Sequence, residues 1–287
     1  MRYCKKHLIL LSLLLMVVIA FTGCVTLDSN IANNKDAIDK SKLFVHYIDV
    51  GQADSILIQV NDKNLLIDAG NRADGTAIIS YLQKQGVKKL DFIIATHPHE
   101  DHIGGMSSII KKFPIGDFYA PKVTANTKTF EDMITALGDK KIKIAKAGVA
   151  FNIGDKVEVE MLAPNNDKYK ETNDYSAVVK LTYGDNKFLF MGDAEKLSEG
   201  EILSNNHNVA SDVIKIGHHG SSTSSSKEFL DKVSPKIAVI SSGKDNDYGH
   251  PHKNTLTELK NRNISIYRTD IDGTIVLVSD GKKISKK

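Results

Sequence analysis

Cysteine is nearly absent. The 287 residues hold two, Cys4 and Cys24. Every position after 24 lacks a thiol, which excludes a cysteine nucleophile, a cysteine-rich zinc site and a disulfide from the body of the chain. Tryptophan is missing and proline is scarce at six against 20 glycines, so short elements separated by many turns are expected. No apolar run is long enough for a membrane span: residues 8–21 are the longest stretch, where a span needs about 20 residues. An excess of one charge sign is also lacking. The formal charge of +3 resides in Arg2, Lys5 and Lys6, and residues 24–287 are neutral. No global field then attracts nucleic acid or anionic membrane, and any anion must be held by a local site. With 41% hydrophobic and 25% charged residues, the composition also excludes a disordered chain, a fibre and a multi-span channel.

The first residues read as a targeting segment. MRYCKKH is basic, LILLSLLLMVVIAF has the length of a signal-peptide core, and Phe21-Thr22-Gly23-Cys24 resembles a bacterial lipobox with Phe where Leu is usual. The expectation is a leader over 1–23, lipidation at Cys24, a polar tether over 24–42 and a body over 43–287. That body is held by a lipid at the cell membrane, facing outside the cytoplasm. An uncleaved anchor and a secreted, unlipidated protein remain the alternatives.

From Leu43 onward short apolar runs alternate with amphipathic stretches. Strands are expected at 43–50, 55–60, 64–70 and 90–97. Helices are expected at 76–85, 103–112 and 127–137. The second half repeats the plan. Strands fall at 157–164, 176–184, 186–193, 212–220, 236–241, 264–268 and 274–279, with helices at 195–204, 226–233 and 253–261. Two strand-rich halves, each with helices, predict an α+β fold of two packed sheets with helices outside. The terminal GKKISKK reads as a solvated basic tail.

His97-Pro98-His99-Glu100-Asp101-His102 places three imidazoles and two carboxylates in six residues at a strand end. That donor set suits zinc, and also manganese or iron. The spacing is too tight for one metal on one helix face. A loop instead lets His97 and His99 serve one ion while Asp101 and His102 reach a second.

H-x-H-x-D-H after an apolar strand resembles the signature of the metallo-β-lactamase superfamily. The resemblance implies a four-layer αββα sandwich holding two divalent ions, zinc first and manganese second. It implies Asp68 in LLIDAG as support for the metal loop, Asp193 in FLFMGDA as a carboxylate shared by both ions, and His218 in IKIGHHG as the last ligand. IDVGQADS, NDYSAVV, IGHHGSSTSSS and YGHPH narrow the match to the hydrolase domain of ComEC proteins, which act in DNA uptake. Ala53 stands where that group has Gly. The resemblance covers about residues 44–280 and no membrane channel.

Residues 103–192 contain no His, whereas the wider superfamily supplies a third one there. The first ion is then left with His97, His99 and Asp193, aided by Asn173 or Asp174, or a single ion is held by Asp101, His102, Asp193 and His218. His218 is preferred to His219 as ligand by its preceding Gly, and the other His orients a ligand or meets substrate. Ser221–Ser226 is either a phosphate cradle or a polar loop with a helix cap. Asp101 is expected to orient the attacking hydroxide, and His250 or His219 to protonate the leaving group. His252, His46 and His207 read as structural or exposed. Tyr175 and Lys244 do not rise above background. The function implied is a metal-dependent hydrolase, a phosphodiesterase or nuclease acting on extracellular DNA. A surface phosphoesterase on teichoic acid or phosphocholine-like groups and a non-catalytic metal-binding partner in DNA uptake are the alternatives. The expected partners are DNA, the membrane through the lipid and the competence machinery, with no nucleotide cofactor.

Overall fold

The computed structural model describes residues 41–154 and 156–287. The leader, Cys24 and all but the last two residues of the tether lie outside the described residues. Among the described residues no helix is long and apolar enough to cross a membrane.

The strand runs are apolar on both faces, and the structure shows why. On β1 (Leu43–Tyr47), Leu43, Val45 and Tyr47 face a core shared with a second sheet. On β2 (Ile56–Val60) and β3 (Lys63–Ile67), Ile58, Leu65 and Ile67 face that same core, whereas Leu57 and Leu66 face helices. A strand buried on both sides reads as a continuous apolar run. Asn61 and Asp62 both take positive φ, closing a two-residue hairpin of the primed type.

The first sheet adds β4 (Leu90–Ile94), β5 (Ile115–Ala120), β6 (Ile142–Ile144), β14 (Ile275–Ser279) and β15 (Ile284–Lys286). Its order is β15-β14-β1-β2-β3-β4-β5-β6. The second contains β7 (Ala150–Asn152), β8 (Val157–Ala163), β9 (Val178–Tyr183), β10 (Asn186–Phe190), β11 (Val213–Lys215), β12 (Ile237–Ile240) and β13 (Ser265–Arg268), in the order β13-β12-β11-β10-β9-β8-β7. Helices α1 (Gly75–Lys84), α2 (Glu100–Ile103), α3 (Met106–Lys112) and α4 (Lys128–Leu137) belong to the first half. Helices α5 (Lys196–Ser204), α6 (Lys227–Val233), α7 (Lys253–Asn261) and α8 (Thr269–Asp272) belong to the second.

Three apolar layers follow. Ile78 and Leu82 of α1, Ile109 of α3 and Met133 of α4 cover the outer face of the first sheet. Phe188 and Phe190 meet Val45 and Tyr47 between the sheets. Ile202 of α5, Phe229 and Leu230 of α6 and Leu259 of α7 cover the second sheet. This is the four-layer αββα sandwich.

Four strands were not foreseen: β5, which lies inside the first sheet between β4 and β6, and the edge strands β6, β7 and β15. β6, β7 and β15 have three residues each and lie at sheet edges, too short to carry an apolar pattern; Lys143 and Lys286 fall inside β6 and β15. The terminal GKKISKK is thus corrected from a solvated tail: Ile284–Lys286 pairs with β14, and Ile284 packs on the inter-sheet core.

Parallel pairing decides where the site sits. β3 and β4 run parallel, as do β10, β11 and β12. Their C-terminal ends carry Asp68, His97, Asp193, the His218-His219 pair and His250. Ala177, just before β9, donates its N–H to Thr96 O at 2.9 Å and ties the two rims together.

Candidate metal centre

The H-x-H-x-D-H segment is half loop and half helix. His99 is extended (φ −77°, ψ 152°) and precedes α2, so Glu100 and Asp101 occupy a helical first turn, where carboxylates are favoured. This corrects the expectation of a loop throughout. The His97 ring centroid lies 4.6 Å from that of His99 and 4.1 Å from that of His102, so the corner in the chain gathers all three imidazoles around one space.

The hydrogen bonds fix which imidazole nitrogens are bare. Asp68, in left-handed backbone (φ +58°), accepts Thr96 N–H at 2.8 Å and Thr96 Oγ1–H at 2.7 Å. It also accepts His102 Nδ1–H at 2.8 Å. His102 Nε2 is left 3.2 Å from Asp193 Oδ1 and 3.7 Å from Asp101 Oδ2. His219 Nδ1–H donates to Ser241 O at 3.0 Å, leaving Nε2 3.1 Å from Asp101 Oδ2 and 3.7 Å from Asp193 Oδ2. Thr96 Oγ1, whose proton goes to Asp68, and Ser176 Oγ lie 3.1 and 3.3 Å from His97 Nδ1. His97 Nε2 then lies 3.0 Å from His99 Nδ1 and 3.9 Å from Asp193 Oδ2. This is the outer-sphere pattern of metal-binding histidines: one nitrogen donates to a fixed oxygen and the other is left bare.

Two donor groups result, and they share one carboxylate. Asp101, His102, Asp193 and His219 form the first, and His97, His99 and Asp193 the second; within each, the donor atoms lie inside 4.8 Å of one another. His102 Nε2 and Asp193 Oδ1 are buried with no hydrogen-bond partner, although buried polar atoms are almost always paired. Two orphaned atoms aimed into one space fit a cation. The electrostatics agree. Burial opposes a charge on Asp193, but His102 and His219 outweigh it and hold its pKa well below the carboxylate range. Burial likewise opposes charge on His102, which Asp193, Asp101 and Asp68 nonetheless raise well above the usual range.

The comparisons with known proteins agree with this geometry. The model of the family described as the metallo-beta-lactamase superfamily matches residues 48–244. The chain belongs to the metallo-β-lactamase superfamily. ComE operon protein 3 of Bacillus subtilis is 32% identical over 251 residues, spanning 80% of this chain and 32% of its own length. Competence protein ComA of Neisseria gonorrhoeae is 31% identical over 242 residues, 84% of this chain and 33% of its own. The chain therefore spans about a third of the length of these relatives. Exodeoxyribonuclease WalJ of Streptococcus pneumoniae is 26% identical over 162 residues, 54% of this chain and 59% of its own. The crystal structure of the fold protein YhfI from Bacillus subtilis superposes with a TM-score of 0.58 at 14% identity, over 83% of this chain and 99% of its own. That last likeness shows the fold alone.

Within this metallo-β-lactamase sandwich, the structure separates the expected ligands. His97, His99, Asp101, His102 and Asp193 come together, and Asp68 supports His102 from behind. His218 does not join either group; His219 does. Both residues have left-handed backbone, at φ 48° and 53°, so the two rings splay apart at 64°. The His218 Nδ1 lies 3.1 Å from both Glu195 Oε1 and Thr223 Oγ1, while its Nε2 stays 3.9 Å from Asp193 Oδ2. Asn173 donates to the same Glu195 oxygen at 3.1 Å rather than to a cluster member, and burial raises the pKa of Asp174 behind it.

A cavity of about 360 Å³ opens on the cluster, lined by His99, Asp101, Asp193, His219, His250 and Gln52 among others. Gly243 N–H donates to Gln52 Oε1 at 3.0 Å, which turns the Gln52 amide nitrogen toward His250 Nδ1 at 3.3 Å. Burial, then His218 and His219, push the His250 pKa down to about 4. Its imidazole is therefore neutral near pH 7 and keeps its proton on Nε2.

Ser221–Ser226 is not a phosphate cradle. Ser222 N–H donates to His252 Nδ1 at 2.9 Å, and the N–H groups of Ser225 and Ser226 go to buried Glu199. Ser226 caps α6. These amides are engaged internally. His252 is structural, as are His46, bonded to Tyr81, and His207, bonded to Asn165. Tyr175 is bonded to Tyr169, and Lys244 is exposed. Ala53 fits because its backbone needs no positive φ and its methyl is buried in the helix-facing core.

Sequence reasoning missed four residues. Ser176 Oγ accepts Asp193 N–H at 3.1 Å and lies beside His97, so it positions two donors at once. Gln52 fixes the His250 tautomer. Lys215 and Asp54 form a fully buried ion pair at 2.6 Å, and Asp54 Oδ1 lies 3.6 Å from His219 Nδ1. An isolated Lys in DVIKIG and an isolated Asp in GQADS, each inside apolar sequence, were the available signals.

Proposed function

We propose that this chain is a phosphodiesterase that cleaves DNA with a pair of divalent ions, zinc or manganese, and works outside the cytoplasm. The observation that carries the reading is Asp193, a carboxylate shared by two sets of bare donors beside an open cavity. His97 and His99 would hold one ion with Asp193; Asp101, His102 and His219 would hold the other with Asp193. When bound, such a pair brings the pKa of water toward neutrality and offsets the negative charge that builds on phosphate oxygens.

The chain's own groups supply the rest. Asp68 and Ser241 hold the protons of His102 and His219 on Nδ1, so Nε2 of each stays a donor. Asp101, at the cavity edge between His102 and His219, can orient a water by hydrogen bond. His250 carries Nε2–H on a neutral ring and can hydrogen-bond a phosphate or leaving oxygen; its lowered pKa disfavours the imidazolium that the expected proton donor would require. The name of the exodeoxyribonuclease relative and that of the competence relative support DNA as substrate.

The test is cleavage of single- and double-stranded DNA beside a base-free phosphodiester, with zinc or manganese added and Asp193→Ala as control. DNA cleavage that needs the ion and Asp193 is expected. Retained cleavage in Asp193→Ala overturns the site, and cleavage of the base-free diester alone overturns DNA as the substrate. The Phe21-Thr22-Gly23-Cys24 motif supports a lipid anchor at Cys24. Release of Cys24→Ser from the membrane fraction tests it.

A further inference from the structure

The cavity beside the metal centre has an aromatic residue at its mouth that the hydrolytic chemistry does not use. Tyr248 lines the cavity and is 68% exposed, against wholly buried aromatics such as Tyr47 and Phe188. Its ring lies over His250 with centroids 5.6 Å apart and planes 19° apart. His250 in turn lies over His219 at 6.3 Å and 21°. Three nearly parallel rings thus form a ladder from the metal cluster to solvent, and the last rung presents a free face.

The loop that carries this rung is braced. Asn246 Nδ2 donates to Gly243 O at 2.8 Å and to His250 O at 2.6 Å, and Asn246 Oδ1 accepts His250 N–H at 3.0 Å. Gly249 N–H returns to Asn246 O at 3.2 Å. An aromatic held rigidly loses little conformational freedom when a planar group stacks on it.

The cavity lining contains His, Asp, Glu, Gln and Tyr, with neither Lys nor Arg. Nucleic-acid affinity usually rests on Lys and Arg at phosphates. What the lining does offer is an aromatic face, and base–aromatic stacking is the sequence-tolerant contribution to holding single strands.

We propose that Tyr248 is a nucleobase platform: it stacks an unpaired base of the substrate next to the phosphate being cleaved, and so selects single strands or frayed ends over paired duplex. Bases within a duplex are already stacked on each other and cannot present a face to Tyr248. This inference rests on the phosphodiesterase reading above.

The test compares two substrates of one backbone: a short single-stranded deoxyadenylate, and the same-length oligomer with tetrahydrofuran in place of every nucleoside. The full chain is loaded with zinc or manganese, and kcat and KM are measured separately. The wild-type chain is expected to favour the base-bearing oligomer by roughly 5–100-fold, chiefly through KM, the range that base–aromatic stacking supplies. Tyr248→Ala should erase the preference, whereas Tyr248→Phe, which keeps the ring, should retain it. If Tyr248→Ala leaves the preference intact, or Phe loses it as Ala does, the platform is overturned while the phosphodiesterase reading stands. If the wild-type chain cleaves neither oligomer, both fall.

Discussion

Replacing Gly104 by alanine tests whether the metal loop is held by backbone contact. Gly104 follows α2, which carries Asp101 and His102. A methyl there would sit 2.2 Å from Arg72 N, 2.4 Å from Asn71 C and 2.5 Å from Glu100 O. Ordinary contact begins near 3.4 Å, and all three obstacles are backbone, so no side-chain rotation relieves the overlap. Either α2 or the Asp68–Arg72 segment must retreat by about 1 Å, and Ala69 N–H would lose its 2.7 Å bond to His102 O. Overpacking of this kind costs about 1–3 kcal/mol. In a domain of this size that lowers Tm by roughly 3–10 °C. The effect on metal is larger, because donor distances tolerate only about 0.2 Å. Each tenfold loss of affinity removes about 1.4 kcal/mol of metal-induced stabilisation. Thermal unfolding of wild type and Gly104→Ala, with and without added zinc, reads both effects. The variant should melt lower without zinc and gain far less from it. A wild-type melting point together with a wild-type response to zinc would refute the argument.

Three further predictions follow from other contacts. Asp68→Asn puts an amide N–H against His102 Nδ1 or moves the ring proton to Nε2, and should weaken metal binding about 10–100-fold at nearly unchanged fold; equal affinity by metal titration would exclude the support role. Lys215→Ala leaves Asp54 buried and uncompensated, so unfolding in urea should show a loss of about 3–5 kcal/mol, most of it recovered when Asp54 is also replaced by an apolar residue; an unchanged midpoint would exclude this. Burial, then the nearby Lys287 ammonium, push the pKa of His46 down to about 4 from 6.5. A His with a depressed folded pKa contributes its stability above pH 6.5 and loses it as pH falls from 6.5 toward 4. The stability difference between wild type and His46→Phe should therefore shift by about 3 kcal/mol across that window, with wild type losing more in acid; a difference constant with pH would contradict it.

Chemistry that is local in sequence was legible. Three histidines and two acids in six residues announce a metal site whatever surrounds them. The both-face burial of strands such as Leu43–Tyr47 leaves continuous apolar runs that mark a sandwich interior. Asp68 and Asp193 were named by the resemblance to the superfamily's motifs; the structure supplies the physical reason, since each ends an apolar strand and parallel strands deliver both to one rim.

Tertiary structure alone decided what depends on backbone direction or distant pairing. His218 and His219 are identical in type and adjacent, and only two left-handed residues in succession determine which ring enters the cluster. Lys215 and Asp54 are far apart in the chain, so their pairing exists only once β11 lies against the Gln52–Asp54 turn. Ser221–Ser226 has the composition of an anion cradle, but Glu199 and His252 reach it from other elements and take its N–H groups. Three-residue edge strands such as Ile284–Lys286 carry too little pattern to be seen, since pairing with β14 rather than propensity makes them strands. The sequence by itself determined the metal-binding chemistry and the layered fold, because residue type and apolar periodicity act locally. The placement of His219 rather than His218 in the compact donor group, the tautomers of the histidines and the exposed rung at Tyr248 came from backbone conformation, hydrogen bonds and ring contacts that form only when both sheets meet.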